Sequence, residues 1–552
     1  MFKLAKSFLY MTVCLLCFVA TASQAREAVS ITDTTIVIKD NGIWHRVNNS
    51  PARYDNWTPS LVNTAQEKGA IIDKSGTYIT KISLRSSQKQ NKFVVLNSNY
   101  VDQGFAYWEP VGGSPQLIAE FSQTNDKDMP HLMHAQSFPF VLKDQEEGNL
   151  WVLISARKFS TPVNLTFFSQ PAFYQYLFAI NSITLSCIAI MFTLAFIALL
   201  IAVKTKQVLS FWCAGYLGFH ALSWVFTSGL ANDLFSYTSV NMTYGALYIF
   251  PIINAFAAFF TTRLFECKIQ NPRLHRLLIF MALVLAVATL MLPFVPFDIA
   301  YQFAHILAAI WSPLSIYIGI IMWSKKDFRA KYYLTGNVVY GLAVIYILAA
   351  HTGHFDGLLY PEMVVLVAIV IDCLCILLSL AEWLLIRQNT YKKVLYEARV
   401  DALTKVGNRF ALSEKLNLLG EDYLVVYIDL DGIKSINDNM GHASGDQLLK
   451  EVSLLMKQRI RHLGEVFRHG GDEFVWVINK TSSSNTSLNT ELTTIIGEIE
   501  KSIQESWPTV GISYGIVNGQ EGQNHNSVLE KADRLMYEHK VAKKSPTQTP
   551  RV

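Results

Sequence analysis

The stretch FRHGGDEFVWV, from Phe467 to Val477, places two glycines and two acidic residues between two short apolar runs. Such a glycine-containing break between strand-like runs predicts a tight β-hairpin. Because the acids directly follow the glycines, we expect the carboxylates to lie at the hairpin tip. An acidic tip fits either a turn without chemistry or a loop that holds a cation, so the neighbouring segments have to be considered.

Strand-like and helix-like segments alternate around this hairpin between residues 388 and 552. In chain order we predict helix 408–419, strand 423–431, helix 443–461, the hairpin, helix 488–506, strand 509–517 and helix 526–544. This order indicates an α+β domain with helices packed on one sheet. In that arrangement Asp429, near the end of the first strand, lies beside the tip at residues 470–473.

Carboxylates at neighbouring strand ends, next to glycines that allow close backbone approach, are the parts of a magnesium–phosphate site. Mg²⁺ prefers oxygen ligands from one or two carboxylates, with substrate phosphates and water completing the octahedron. Lys434 follows Asp429 by five positions and supplies a positive charge for phosphates. These residues predict a nucleotidyl-transfer or cyclase-type site, where metal ions activate a hydroxyl and neutralise a leaving pyrophosphate.

Four motifs stand out in this region: DALTKVGNRF (401–410), DLDGIKSINDNMGHASGDQLL (429–449), RHGGDEF (468–474) and ADRLMYEHK (532–540). Together they resemble the GGDEF family of diguanylate cyclases. They follow that family's order and spacing and cover about Arg399 to Lys544. The resemblance implies a cyclase domain over residues 401–544, with a fold like the polymerase palm. It also implies that two GTP molecules are condensed into cyclic di-GMP and two pyrophosphates, with one GTP in each half-site of a homodimer.

The resemblance further implies a metal and catalytic set. Asp429, the Leu430 carbonyl and Asp472 would hold Mg²⁺, with Mn²⁺ as an alternative metal. Asp472 or Glu473 would accept the proton of the attacking 3′-hydroxyl. The sequence does not choose between these two acids.

For the nucleotide, the resemblance implies that Asn437, His442 and Asp446 line the guanine pocket. Lys434 and Lys540 would contact the phosphates and stabilise charge that develops in the transition state. A carboxylate at Asp446 can accept both N1–H and the exocyclic amine of guanine, whereas adenine offers no such pair of donors. Asp446 therefore favours GTP over ATP and disfavours a cyclase with another product.

Three positions depart from the family pattern. Ile433 stands where phenylalanine is usual, which is a tolerable apolar exchange. The usual ending Lys-x-x-Gly-Arg is here residues 540–544, KVAKK, and Lys544 lacks the bidentate fork of arginine, so weaker phosphate affinity is expected. The inhibitory Arg-x-x-Asp motif falls on Arg461 to Gly464, and Gly464 supplies no carboxylate, so we predict weak or absent product inhibition.

The alternative interpretation is a catalytically silent domain that serves as a nucleotide sensor or dimerisation module. Such domains usually lose carboxylates at the glycine turn. Here Asp429, Lys434, Asp472 and Glu473 are all present, which favours the enzyme.

The remainder of the chain is strongly apolar. Of its 552 residues, 51% are hydrophobic and 16% charged, and the net charge of +4 is spread along the chain, which argues against a nucleic-acid partner. Between residues 176 and 387, seven apolar stretches are long enough to cross a bilayer. They are 177–203, 208–230, 242–262, 277–294, 300–323, 332–350 and 363–386.

The basic residues between these stretches predict an orientation. Lys and Arg follow the first, third, fifth and seventh stretches, whereas the loops after the second, fourth and sixth contain none. By the positive-inside rule, we expect the N-terminal region to lie outside the cell and the C-terminal domain to lie in the cytoplasm. The GGDEF resemblance implies that the membrane is a bacterial inner membrane, so the outer compartment would be the periplasm. Within the apolar stretches, Asp372 fits a functional site or a protonated structural acid, and for His220 and His305 we favour a structural role.

The N-terminal part reads as a signal peptide at residues 1–25, with an uncleaved anchor as the alternative. Short alternating runs over residues 26–175 predict a periplasmic all-β sandwich, the sensor domain. Residues 134–175 resemble the extracellular jelly-roll of bacterial seven-transmembrane receptors with diverse intracellular signalling modules. The ligand is not named by the sequence; a carbohydrate stacked on exposed aromatic side chains is one candidate, and packing is the alternative. The aromatic residues considered are Trp44, Trp57, Tyr107, Trp108 and Trp151.

Two short segments complete the organisation. Residues 388–400 continue the seventh apolar stretch as an amphipathic connector helix, which could form a parallel coiled coil between two protomers. Residues 545–552 are polar and are predicted to be a disordered tail.

Overall fold

The computed structural model describes much of the chain but not all of it. The described residues are 29–32, 35–40, 42–47, 68–69, 71, 74–98, 100–122, 132–235, 241–351, 361–419, 423–479, 485–519 and 524–544. The predicted signal peptide, Trp57 and the predicted tail lie outside these residues. The chain divides into two compact units, Met1–Leu384 and Leu385–Val552.

The first unit begins with a β-rich region. Its strands are β1 (Val29–Ser30), β2 (Ile36–Ile38), β3 (Trp44–Val47), β4 (Lys68–Gly69), β5 (Gly76–Arg85), β6 (Gln90–Leu96), β7 (Gln103–Pro110), β8 (Gln116–Phe121), β9 (Gln136–Leu142), β10 (Glu147–Ala156) and β11 (Leu165–Ser169). They form a seven-stranded sheet in the order β4-β3-β5-β10-β7-β8, with β1 parallel to β5, and a four-stranded sheet in the order β2-β11-β6-β9. The β-rich prediction for this region is confirmed.

Alternation along the strands gives the two sheets a shared apolar core. Ile82 and Val152 of the larger sheet and Phe138 and Phe167 of the smaller sheet belong to one buried cluster. The strands have this pattern because residues two apart point to the same face.

The same packing argues against the carbohydrate-stacking interpretation of the aromatic residues. Trp44 and Trp108 lie inside the shared core. Tyr107 and Trp151 are buried in a second cluster on β7 and β10. None of these four side chains presents an open face for a sugar ring, so packing is the correct interpretation for them.

Nine helices, most of them long and apolar, follow the β-rich region among the described residues of the first unit and its continuation to Arg399. They are α1 (Gln170–Thr205), α2 (Val208–Thr227), α3 (Leu230–Phe235), α4 (Gly245–Leu264), α5 (Cys267–Gln270), α6 (Pro272–Met291), α7 (Phe297–Ser324), α8 (Arg329–His351) and α9 (Pro361–Arg399), with 3₁₀ turns at Met242–Tyr244 and Leu292–Phe294. Within the described residues, six helical segments are long and apolar enough to cross a membrane, and they contain α1, α2, α4, α6, α7 and α9. The predicted stretch 332–350 lies on α8, which is not among the six.

Helix α9 is continuous over 39 residues and includes the predicted connector. Its first half carries buried apolar side chains such as Leu366 and Ile376, whereas Tyr391 and Val394 in its second half are exposed. His305 bonds through Nδ1 with the Tyr301 carbonyl one turn earlier on α7. That contact is consistent with the structural role we favoured for His305.

The second unit contains four strands and five further helices among its described residues. They are α10 (Arg409–Leu418), β12 (Tyr423–Asp431), α11 (Ile433–Met440), α12 (His442–Ile460), β13 (Gly464–Arg468), β14 (Glu473–Asn479), α13 (Asn485–Ser506), β15 (Gly511–Gly519) and α14 (His525–Lys544). The antiparallel sheet has the order β13-β14-β12-β15. Strand β12 is thus central, and its nine residues are nearly all buried.

Helices cover both faces of this sheet. Val426, Ile428 and Trp476 pack against α12 and α13, whereas Val425 and Val475 pack against α10 and α14. Because neighbouring residues of a strand point to opposite faces, a strand buried on both faces reads as the continuous apolar run seen at 423–428.

The sequence pattern missed α11, which has eight residues and mostly polar side chains. It begins after Gly432, whose φ of +90° is in the left-handed region. A β-carbon at Gly432 would lie 2.6 Å from the Thr509 carbonyl oxygen, so a side chain is excluded there by both space and backbone conformation.

Candidate active site

The predicted acidic residues meet where the central strand ends. Asp429 of β12 is the cross-strand neighbour of Glu473 on β14. The Leu430 backbone N–H donates to the Asp472 carbonyl at 3.2 Å, which brings the hairpin tip against the end of β12. The expected juxtaposition of Asp429 with the tip is therefore present.

A lysine from the last helix reaches the same place. The Lys540 ammonium group is ion-paired with Asp429 Oδ1 and lies 3.6 Å from Asp431 Oδ1. Burial lowers the pKa of Lys540, but the hydrogen bond and charge of Asp429, assisted by Asp431 and Asp472, outweigh burial and raise this pKa. Lys540 is thus a fully charged group set among three carboxylates.

For Asp429, in contrast to Lys540, burial and the neighbouring carboxylates outweigh the effect of the ion pair on the pKa. Burial raises its pKa, Lys540 opposes that effect, and the neighbouring Asp472 and Asp431 carboxylates raise the pKa further. The net pKa lies above the ordinary value. An additional cation beside Asp429 would relieve this repulsion between carboxylates.

The hairpin tip is fixed by an arginine that the sequence pattern did not single out. Arg468 donates through Nη2 to the Gly471 carbonyl at 2.7 Å and through Nε to the Gly470 carbonyl at 3.2 Å. Its Nη1 donates to Asp401 Oδ1 at 2.9 Å. Arg468 therefore joins the first motif, at Asp401, to the glycine turn.

Glu473 is held by a tyrosine that also contacts a histidine. The Tyr427 hydroxyl donates to Glu473 Oε2 at 3.1 Å and lies 2.8 Å from His469 Nδ1. Burial, together with the Glu473 charge, raises the pKa of Tyr427, so its hydroxyl stays protonated and available as a donor. The Asp472 carboxylate accepts no hydrogen bond from a described residue and is half-buried at the tip.

The predicted nucleotide-binding residues lie on the next two helices. Lys434 and Asn437 are on α11, and His442 and Asp446 are on the first turns of α12. Lys434, His442 and Asp446 are exposed, whereas Asn437 is half-buried. A β-carbon at position 445 would lie 2.0 Å from Asn437 Oδ1, so the glycine there lets the Asn437 amide pack against the residue before Asp446.

A pocket of about 280 Å³ opens beside Lys540 and is lined by Asp431 and Lys543, to which the sequence motifs assigned no role. Asp431 accepts a hydrogen bond from Ser513 Oγ at 2.7 Å, and its Oδ1 is buried without a hydrogen-bond donor. Lys543 donates to Glu500 Oε1 and to the Ile512 carbonyl, both at 2.8 Å. The sequence feature that could have identified Asp431 as a site residue is the Asp-x-Asp spacing at the end of β12.

Within the described residues, no group of three or more His, Cys, Asp or Glu side chains is arranged to hold a metal ion alone. The oxygen donors at the tip nevertheless fit Mg²⁺, which takes one or two carboxylates and completes its shell with phosphate and water. The pKa of Asp429 is raised, and Asp431 Oδ1 is buried without a hydrogen-bond donor. Both observations are consistent with a cation-binding site at this end of the strand.

Comparison with known proteins agrees with this geometry. Residues 398–546 match the family described as diguanylate cyclase, GGDEF domain, and residues 180–383 match 7TM diverse intracellular signalling. Diguanylate cyclase DgcS of Shewanella oneidensis is 32% identical over 177 residues, which are 30% of this chain and 58% of that protein. Diguanylate cyclase DosC of Escherichia coli is 34% identical over 155 residues, which are 26% of this chain and 33% of that protein.

A similar solved structure is the coiled coil and GGDEF domain of DgcB from Caulobacter crescentus in complex with c-di-GMP. It is 24% identical, covers 30% of this chain and 91% of that chain, and has a TM-score of 0.27. The present chain spans less than two thirds of the length of each of these two curated relatives. The site described above lies within the family match at residues 398–546. The chain thus has a region that matches the GGDEF domain family at residues 398–546 and a region that matches the 7TM diverse intracellular signalling family at residues 180–383.

Proposed function

We propose that the protein is a membrane-bound diguanylate cyclase that condenses two GTP into cyclic di-GMP and two pyrophosphates. The observation that carries the proposal is the meeting of Asp429, Asp472 and Lys540 at the end of the central strand. This arrangement combines metal-binding oxygens with a charge for phosphates, and it lies in the GGDEF match.

In this proposal Asp429, the Leu430 carbonyl and Asp472 hold Mg²⁺ or Mn²⁺. The metal, when bound, neutralises the phosphates and favours ionisation of the attacking hydroxyl. Lys540, which is ion-paired with Asp429, would contact a phosphate of the bound nucleotide. Asp472 or Glu473 accepts the proton of the 3′-hydroxyl.

GTP is the proposed substrate because the exposed Asp446 carboxylate can accept the two donors of the guanine edge. Asn437 would contact the same edge and His442 would line the pocket. Lys434, exposed at the start of α11, would contact the phosphates.

The proposed assembly is a homodimer, since one chain supplies one hairpin and the product contains two nucleotides. The exposed Tyr391 and Val394 on the second half of α9 suit a coiled coil between two protomers. The β-rich region would be a periplasmic sandwich of jelly-roll type that receives a signal, and the C-terminal domain would lie in the cytoplasm, as the distribution of basic loops favours.

The decisive experiment is to incubate the full chain, in lipid nanodiscs, with Mg²⁺ and GTP and to measure cyclic di-GMP by mass spectrometry. We expect product with the wild type and none with Asp472→Ala, while Asp438→Ala, an exposed acid on α11, keeps the activity. GTP binding without any product in the wild type would instead indicate the silent sensor or dimerisation module.

A further inference from the structure

A carboxylic acid lies buried among the apolar helices of the first unit, apart from the GTP site. Asp372 on α9 is 1% exposed. Its Oδ2 accepts a hydrogen bond from the Tyr216 hydroxyl of α2 at 2.5 Å. Its Oδ1 is also buried and has no hydrogen-bond partner among the described residues.

A third helix closes the other side of this carboxyl group. A β-carbon at Gly336 of α8 would lie 2.5 Å from Asp372 Oδ1 and 2.9 Å from the Cys375 β-carbon. The α8 backbone can come this close only because position 336 has no side chain. Three helices, α2, α8 and α9, therefore meet at Asp372.

The groups around Asp372 offer one hydrogen-bond donor and no counter-charge in the described residues. The ring of His220 lies edge-on to Tyr216, with 4.6 Å between ring centroids, and 6.4 Å from the ring of Tyr340. Among the residues that the structure describes, no lysine or arginine is hydrogen-bonded to Asp372. The titratable neighbours are Cys213, Tyr216 and His220 of α2, Tyr333 and Tyr340 of α8, and Cys373 and Cys375 of α9.

This environment favours a proton over a metal cation as the species that Asp372 binds. A metal cation needs a shell of several oxygen atoms, but among the described residues the Tyr216 hydroxyl is the one group hydrogen-bonded to the carboxylate, and the Gly336 backbone closes the adjoining side. An ionised carboxylate with a single donor in an apolar interior is costly, whereas a proton removes that cost. The neutral acid can form without any other group entering the site.

We propose that Asp372 and Tyr216 form a reversible proton-binding site, whose occupancy changes how α9 packs against α2 and α8. Loss of the proton places a negative charge against the α8 backbone at Gly336 and favours separation of the helices there. Because α9 is the helix that continues to Arg399, this site lies on the element that leads into the GGDEF domain.

The test uses the full chain in lipid nanodiscs and infrared difference spectroscopy across pH. We expect one protonated-carboxyl band that is lost in Asp372→Asn. In Tyr216→Phe the same band should titrate at a pH higher by about one to two units, because the hydroxyl stabilises the charged form. Tyr317→Phe, at an exposed tyrosine of α7, is the matched control and should leave the midpoint unchanged.

The proposed change in helix packing is tested on the same samples by measuring backbone hydrogen exchange in α2 and α9. The exchange rates are corrected for their intrinsic dependence on pH. We expect protection to fall above the midpoint in the wild type and to be independent of pH in Asp372→Asn. Three results would overturn the proposal. The first is that Asp372→Asn keeps every protonated-carboxyl band of the wild type, and the second is that the titration midpoint of the band in Tyr216→Phe equals that of the wild type. The third is that the wild-type band does not titrate at any pH at which the protein is folded. None of these readouts uses cyclic di-GMP formation, so they stand apart from the proposed enzymatic activity.

Discussion

The ammonium group of Lys540 is ion-paired with the carboxylate of Asp429, 111 residues earlier in the chain. This contact joins the last helix to the central strand at the point where Asp472 also lies. Burial and, to a smaller extent, repulsion from Asp472 and Asp431 raise the pKa of Asp429, and the lysine offsets part of both effects. Removal of either partner should therefore affect both metal binding and phosphate binding.

Lys540→Met should reduce kcat/KM for GTP about 100-fold, because a positive charge aimed at developing phosphate charge contributes mainly to the transition state. Initial rates of cyclic di-GMP formation over a range of GTP and Mg²⁺ concentrations measure this loss. Lys531→Met, an exposed lysine on the same helix, is the control. Equal kinetics for Lys540→Met and wild type would rule out the phosphate role.

The Asp401–Arg468 contact should make stability depend on pH. Burial raises the pKa of Asp401, but the hydrogen bonds from Thr404 and Arg468 outweigh burial and hold this pKa below its ordinary value. The ionised form is therefore favoured by folding, so its contribution is present above about pH 4 and is lost as the pH falls through the lower, folded-state pKa.

Asp401→Asn should accordingly cost about 1.5 kcal/mol of unfolding free energy at pH 7, and this cost should shrink as the pH falls through the folded-state pKa of Asp401. Denaturant unfolding of the C-terminal unit at a series of pH values measures the difference. Asp438→Asn should change little at any pH, because Asp438 is exposed. A cost that does not vary with pH would mean that the charge of Asp401 is not responsible.

Tyr427→Phe should move the acidic limb of the pH–rate profile to higher pH by about half to one unit. The hydroxyl donates to Glu473, and loss of a donor disfavours the ionised acid. The measurement is kcat/KM for GTP from pH 5 to 9, with Tyr423→Phe, at the opposite end of β12, for comparison. An unmoved limb would assign the proton-accepting role to Asp472.

Lys544→Arg should lower the KM for GTP several-fold, because a guanidinium can form two parallel hydrogen bonds to one phosphate. Steady-state kinetics with Lys531→Arg as the matched exchange checks this. If KM stays at the wild-type value, residue 544 does not contact the nucleotide.

Cyclic di-GMP should inhibit the enzyme weakly or not at all through the Arg461–Gly464 segment. A β-carbon at Gly464 would lie 2.1 Å from the Val477 carbonyl oxygen, so this strand position also resists the aspartate that the usual motif requires. Rate measurements with added cyclic di-GMP test the prediction. Strong noncompetitive inhibition that disappears in Arg461→Ala would contradict it.

Much of the C-terminal domain could be predicted from local pattern. The apolar run at 423–428 identified the central strand, and the glycines before Asp472 identified the hairpin, because strand burial and turn chemistry are local properties. Helix α11 was missed because its polar side chains give no apolar periodicity. Trp108 and Trp151 could be read as ligand-binding or packing residues until the two sheets were seen to bury them.

The sequence by itself determined the order of the β-rich, apolar helical and α+β regions, and the set of acids and lysines available for a GTP site. Only the tertiary structure decided that Lys540 pairs with Asp429, that Arg468 links Asp401 to the glycine turn, and that Asp372 meets Tyr216. The physical reason is distance along the chain. Periodicity and turn propensity act over a few neighbouring residues, whereas these contacts join residues 67 to 156 positions apart and depend on how whole helices and strands pack.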